Sequence, residues 1–245
     1  MTSRILRSGL VPGIALLMAA TACTADSGSG DDPGGETTGS GPDYTAMASW
    51  DACEVLDPDT VTAKLQIGEY TEGPVALGTN EGDFPGSIKC NSFYDYPADI
   101  EIPENSSKEE LSGWLYQVLM PYGTPEEAAE GFQTLYDGAA EAVRERPEDE
   151  QSVDESIEGD WDQGAILASV GVGSSFRAII QKGPYVVFIE VGGDPDPGIM
   201  NGLSYKDIET YDNPTYEYTP MDLADWMQSD YLPAVQETIT AKLEG

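Results

Sequence analysis

The sequence predicts an α+β fold: an antiparallel sheet of about five or six strands, two long helices on one face and a short N-terminal helix. Three observations carry this. Ala165 to Val170, Ser175 to Lys182 and Pro184 to Val191 are apolar runs divided only by Gly171-Val172-Gly173 and Lys182-Gly183, the pattern of an antiparallel meander. Thr124-Pro125-Glu126-Glu127 is a capping box with proline at the first helical position. Leu223, Met227, Tyr231, Val235, Ile239 and Leu243 recur at fours, the stripe of a second long helix.

The first 22 residues read as a secretory signal. Arg4 and Arg7 precede an apolar run from Gly9 to Met18, and small residues lead into Cys23. The run is too short to span a bilayer, which takes about 20 apolar residues. Ala20-Thr21-Ala22-Cys23 is similar to a bacterial lipobox, which implies cleavage before Cys23 and lipidation of that residue. Several acyl chains on one residue hold a membrane firmly, whereas a single chain binds it only marginally. Residues 23 to 43 are rich in Gly, Ser and Asp and bury no surface, so they are expected to form a disordered tether. Residues 44 to 245 form the expected single extracytoplasmic domain.

Within that domain, Asp57 and Pro58 cap a short helix bearing Val61 and Leu65 and ending at Gly68. Ile88 to Tyr96 and Gly113 to Tyr122 read as strands. In the second, Trp114, Tyr116, Val118 and Met120 share a face by the two-residue period, with Leu115 and Leu119 opposite. The helix opened by Thr124 runs through Ala128, Phe132, Leu135, Ala139 and Val143 to about Arg146-Pro147, and Glu148 to Asp162 is an acidic loop. In the meander, Phe176, Ala178 and Ile180 alternate with Arg177 and Gln181, which predicts one wet face. Gly192 to Pro214 is irregular, and the last helix starts at Thr219-Pro220 and is kinked or split by Pro233 near Asp230.

Charge is the dominant compositional feature: 11 basic residues stand against 45 acidic ones, a net charge of −34. Removing Arg4 and Arg7 with the signal leaves nine basic residues and a net charge of −36. Such a field repels nucleic acid and anionic lipid headgroups and attracts cations. Three cysteines in an exported chain leave one unpaired. Lipidation of Cys23 accounts for it and frees Cys53 and Cys90 to pair, the alternative being two reduced buried thiols.

The segments Asp51 to Val61 ("DACEVLDPDTV") and Lys89 to Tyr96 ("KCNSFYDY"), with the lipobox ahead of them, resemble the actinobacterial lipoproteins of domain-of-unknown-function family thirty-five fifty-eight. Cys53-Glu54-Val55-Leu56-Asp57 matches that family's first cysteine, hydrophobic pair and capped helix. Cys90-Asn91-Ser92-Phe93 matches its second cysteine and aromatic strand, with Ser92 where the family usually carries Trp. The resemblance implies a Cys53–Cys90 bridge and a surface-tethered domain, and it brings no catalytic residues.

The chain contains no histidine. Ser-His-Asp and Cys-His catalysis, histidine zinc sites and an imidazole base are thereby excluded. Gly171 to Ser175 lacks the lysine and following helix of a phosphate loop. Asp194, Asp196 and Asn201 supply oxygens of the type calcium takes, but the glycine spacing and two intervening prolines depart from a calcium loop and favour an acidic turn. No cofactor is expected. Trp114, Tyr116 and Tyr185, with Tyr122 and Trp161, are candidates to line an apolar or carbohydrate-binding groove, and core packing uses the same side chains.

The expected function is a non-enzymatic, membrane-anchored binding module for a small ligand or a cell-envelope partner, held by lipidated Cys23 on the outer face of the membrane. The alternatives are a cell-wall glycoside hydrolase using two carboxylates and a structural spacer.

Overall fold

The computed structural model describes residues 43–67, 69–78, 86–95, 112–144, 151–170, 174–193 and 220–245, all within the compact unit Ser40–Gly245. A short 3-10 helix, Tyr44–Ser49, leads into α1, Ala52–Leu56, and α2, Pro58–Lys64. Asp57 joins the two helices. Its backbone is left-handed (φ 40°) and closes α1, while its carboxylate accepts from the Thr60 N–H and caps α2, with Pro58 in the first turn. The short helix expected at Asp57-Pro58 is therefore the second of a pair.

Seven strands form one antiparallel sheet: β1 Glu69–Leu77, β2 Ile88–Asp95, β3 Ser112–Pro121, β4 Gln151–Ser156, β5 Gln163–Val170, β6 Ser174–Lys182 and β7 Tyr185–Gly193. Their order is β1-β2-β3-β7-β6-β5-β4. The chain thus builds a meander inward from one edge, crosses to the opposite edge through α3, Pro125–Arg144, and returns to the centre where β7 pairs with β3.

The expected α+β class and antiparallel meander are present, and four finer expectations are corrected. The sheet has seven strands rather than five or six, because β1 and β4 are edge strands with polar sequences. The Glu148 to Asp162 stretch contains β4, which pairs with β5 through residues 151–156. The two long helices lie on opposite faces. One face buries Leu115, Leu119, Ala178, Ile180, Val187 and Ile189 with α1, α2 and the C-terminal helices, and the other buries Val118, Met120, Ile179, Val186 and Phe188 with α3. Ile179, midway between Arg177 and Gln181, is fully buried, so the meander's second face is covered by α3 rather than wet.

The α3 start follows its capping box with one variation. Glu127 N–H donates to Thr124 Oγ1 at 3.2 Å, and the Glu127 carboxylate reaches back to the Gly123 N–H at 2.9 Å. At the C-terminus α4, Pro220–Trp226, gives way to a π-turn, Met227–Tyr231, before α5, Leu232–Glu244. Pro233 lies in the first turn of α5, and the widened turn ahead of it is the break expected near Asp230.

Two polar devices fix this helical layer to the sheet. Cys53 in α1 and Cys90 in β2 form a disulfide. Gln117 of β3, buried among apolar neighbours, donates from Nε2 to Leu56 O at 2.8 Å and to Tyr231 Oη at 2.5 Å, and Tyr231 Oη donates to Leu56 O. One carbonyl at the end of α1 thus receives both the sheet and the π-turn.

Candidate functional site

Cross-strand register assembles the first candidate site on the α3 face of the sheet, beyond the part that α3 covers. α3 packs over β4 to β7. In the row Glu72, Phe93, Trp114, Gly192 and Ser175, each residue opposes the next across neighbouring strands. The next row is Val75, Asn91, Tyr116, Glu190 and Arg177. Phe93 is 50% exposed, Val75 46% and Trp114 39%, the large exposed apolar side chains among the described residues.

Beside these aromatics, on the same face of the sheet, lies a polar row. Lys89, 4% exposed, places its ammonium 5.6 Å from the Tyr116 ring centre, within cation–π range. Tyr116 meets Phe188 edge-on at 6.2 Å. Arg177 donates from Nη2 and Nε to Glu190 Oε1 at 2.8 and 3.1 Å, and Asn91 Oδ1 is buried without a partner among the described residues. Apolar rings beside a braced polar row suit a surface that stacks on a ligand and orients it through a few hydrogen bonds.

Of the residues expected to line a groove, Trp114 and Tyr116 share this surface. Tyr185 does not. It alternates onto the opposite face with Val187 and Ile189, is buried there, and packs against Tyr44 with ring centres 6.3 Å apart. Burial drives its phenol well above the ordinary tyrosine range. Tyr122 packs against the core under α3. Phe93 and Lys89 are the members that sequence reasoning missed. The two-residue period places both on the Asn91 face of β2, and their pairing with Trp114 and Val118 becomes visible only once the register is known.

A second concavity lies elsewhere, between the β4–β5 connection and α5. It has a volume of about 400 Å³ and is lined by Asp160, Trp161, Gln236, Glu237, Thr240 and Glu244 among others. The Trp161 ring rests on Gly159 and Gly164, where a Cβ would fall 2.2 and 2.5 Å from ring atoms, and its Nε1 donates to Ile157 O at 3.0 Å. Gln228 Nε2 of the π-turn donates to Glu158 O at 3.2 Å, tying the two walls together.

Among the described residues no group of three or more Cys, Asp or Glu side chains is placed to hold a metal ion. Asp194, Asp196 and Asn201 lie outside the described residues, as does Cys23. No described helix is long and apolar enough to cross a membrane. No protein-family profile, no curated protein and no solved structure matches this chain.

Proposed function

We propose that this protein is a lipid-anchored extracytoplasmic binding module, similar to the actinobacterial lipoproteins of domain-of-unknown-function family thirty-five fifty-eight, whose exposed Phe93 and Trp114 contact a ligand or partner of the cell envelope. The carrying observation is the Phe93–Trp114 pair: two large rings side by side across β2 and β3, about half and two-fifths exposed, next to a braced polar row. Exposed aromatic clusters of this kind mark interaction surfaces more often than they occur by chance on a monomer. Anchoring rests on the signal-like residues 1–22 and on Cys23 in its lipobox-like setting. The Cys53–Cys90 bridge supports an oxidising compartment. A chain of net charge −34 argues against a nucleic-acid partner.

The test uses the full chain with its own leader in an actinobacterial host. Wild type is expected in the membrane fraction with acylated Cys23, and Cys23→Ser in the medium. The released Cys23→Ser protein is expected to sediment with purified envelopes, and Phe93→Ser/Trp114→Ser in that background to stay in the supernatant with an unchanged melting curve. A free thiol at position 23 in the wild type, or envelope binding that ignores the aromatic pair, overturns the reading.

A further inference from the structure

The Trp114 indole rests on bare backbone. A Cβ at Gly192, its partner on β7, would fall 2.1 Å from Cε2 and Cζ2 and 2.7 Å from Nε1, so the sheet carries the ring from below and the 39% of Trp114 left exposed faces away from it. Phe93, 50% exposed, opposes Trp114 from β2. Ring carbon thus extends from β2 across β3 to β7, two strand spacings or about 10 Å. Glu190 stands two residues before Gly192 on the same face of β7 and opposes Arg177 of β6. Both Arg177 bonds, from Nη2 and Nε, converge on Glu190 Oε1. Glu190 Oε2 and Arg177 Nη1 enter no hydrogen bond among the described residues, and each side chain is 20% exposed.

These features separate three kinds of ligand. A stable protein interface takes about 800 Å² per partner, whereas two rings of about 150–250 Å² each, half and two-fifths exposed, offer on the order of 200 Å². An anionic lipid or glycan needs a free cation. Arg177 is neutralised by Glu190 at 2.8 Å, Lys89 is 4% exposed with its ammonium against the Tyr116 ring, and the chain carries a net charge of −34. A neutral sugar meets neither obstacle. Its C–H groups carry slight positive charge and settle on the negative face of an aromatic ring, and its hydroxyls both donate and accept. Building on the proposal that this aromatic face contacts the envelope, we infer that its ligand is a neutral, β-1,4-linked pyranose glycan. The platform lies within one sheet, which suits the flat ribbon of a β-1,4-linked chain better than the coil of an α-1,4-linked one. Successive sugar rings stack on Trp114 and Phe93. The ring over Trp114 turns adjacent hydroxyls toward β7 and β6, one donating to Glu190 Oε2 and the other accepting from Arg177 Nη1.

Isothermal titration of the Cys23→Ser full chain with cellohexaose and with chitohexaose tests this. Saturable binding of at least one is expected, weakened at least tenfold in Trp114→Ser and at least threefold in the exposed Phe93→Ser and in Glu190→Ala. Trp50→Phe, a change at a tryptophan beneath Lys242, is expected to bind within twofold of the parent. Maltohexaose, which is α-1,4-linked, and the anionic hyaluronan hexasaccharide are expected to bind at least tenfold more weakly. Absence of saturation at millimolar concentrations of both test sugars overturns the proposal, as does unchanged affinity in Trp114→Ser, equal loss in Trp50→Phe, or tighter binding of maltohexaose or hyaluronan. Sedimentation with envelopes tells failure of the glycan from failure of the face. Sedimentation that requires Phe93 and Trp114, persists under excess of both sugars and is lost when the envelopes are treated with protease overturns the glycan and leaves the face as a protein contact. Sedimentation indifferent to the aromatic pair removes the face itself.

Discussion

The Trp114 indole lies directly over Gly192, its partner across β3 and β7, so closely that a Cβ at position 192 would fall 2.1 Å from ring atoms. The glycine is the reason the ring lies flat on the sheet. Gly192→Ala is expected to lift the indole, lower stability by about 1–3 kcal/mol through overpacking, and shift tryptophan fluorescence and near-ultraviolet circular dichroism. Unaltered spectra would show that the ring does not depend on the bare backbone.

The Cys53–Cys90 bridge closes a loop with a sequence separation of 37 and locks α1 onto β2. On chain-entropy grounds Cys53→Ser/Cys90→Ser is expected to lose about 4 kcal/mol, read as a lower denaturant midpoint. The reduced wild-type protein should match the double variant.

The shared acceptor Leu56 O predicts coupling between the sheet and the π-turn. Tyr231→Phe removes one donor and leaves Gln117 Nε2 in place, so a loss of about 1–2 kcal/mol is expected. Gln117→Leu removes the other. Because both single changes act on one carbonyl, the double variant should depart from additivity by at least about 0.5 kcal/mol. Strict additivity in a double-mutant cycle would show that the two contacts act independently.

Several tyrosines titrate late in the folded state. Burial, the largest cause, together with the hydrogen bond to Asp59 and the charges of Asp59 and Asp57, pushes Tyr70 up to about 12 against the opposing hydrogen bond of Thr62; burial likewise raises Tyr122, Tyr185 and Tyr231. A folded-state pKa above the unfolded value means that the native state holds its protons longer. Stability from these groups is therefore complete below about pH 10 and declines as pH rises above it. Melting temperature should fall steeply above pH 10, and absorbance at 295 nm should show a fraction of the tyrosines ionising only with unfolding. Smooth titration of every tyrosine near pH 10 without unfolding would contradict this.

The readability of the fold from sequence follows burial. β5, β6 and β7 are sandwiched between helical layers and announce themselves as apolar runs, and α3 and the split C-terminal helix do so through capping residues and stripe. β1 and β4 are edge strands. β1 is interrupted by Gly73-Pro74, where Gly73 has φ +90° and Asn91 O only 2.6 Å from where a Cβ would stand, so its sequence lacks an unbroken strand pattern. β4, with the sequence QSVDES, is polar in the way that discourages edge-to-edge association. Helix placement was not legible, since an alanine-rich stripe fits either face of a sheet buried on both sides. Trp114 and Tyr116 were legible as neighbours by period, whereas Tyr185 needed the register of β7. Trp161 was recognisable as an aromatic candidate, whereas its seat on Gly159 and Gly164 appears only in the fold.

The pairing of β3 with β7 also sets the order in which the molecule can be completed. The first three strands and both bridging cysteines come from the N-terminal half, so that hairpin array and its covalent clasp can be in place while the remainder is still being delivered. Its inner strand nevertheless keeps a full row of open amides and carbonyls until Tyr185–Gly193, the last of the described strands, arrives to seal it. A nascent chain halted before that segment would present a sticky border, making the final strand the natural point at which quality control separates finished molecules from aggregating ones.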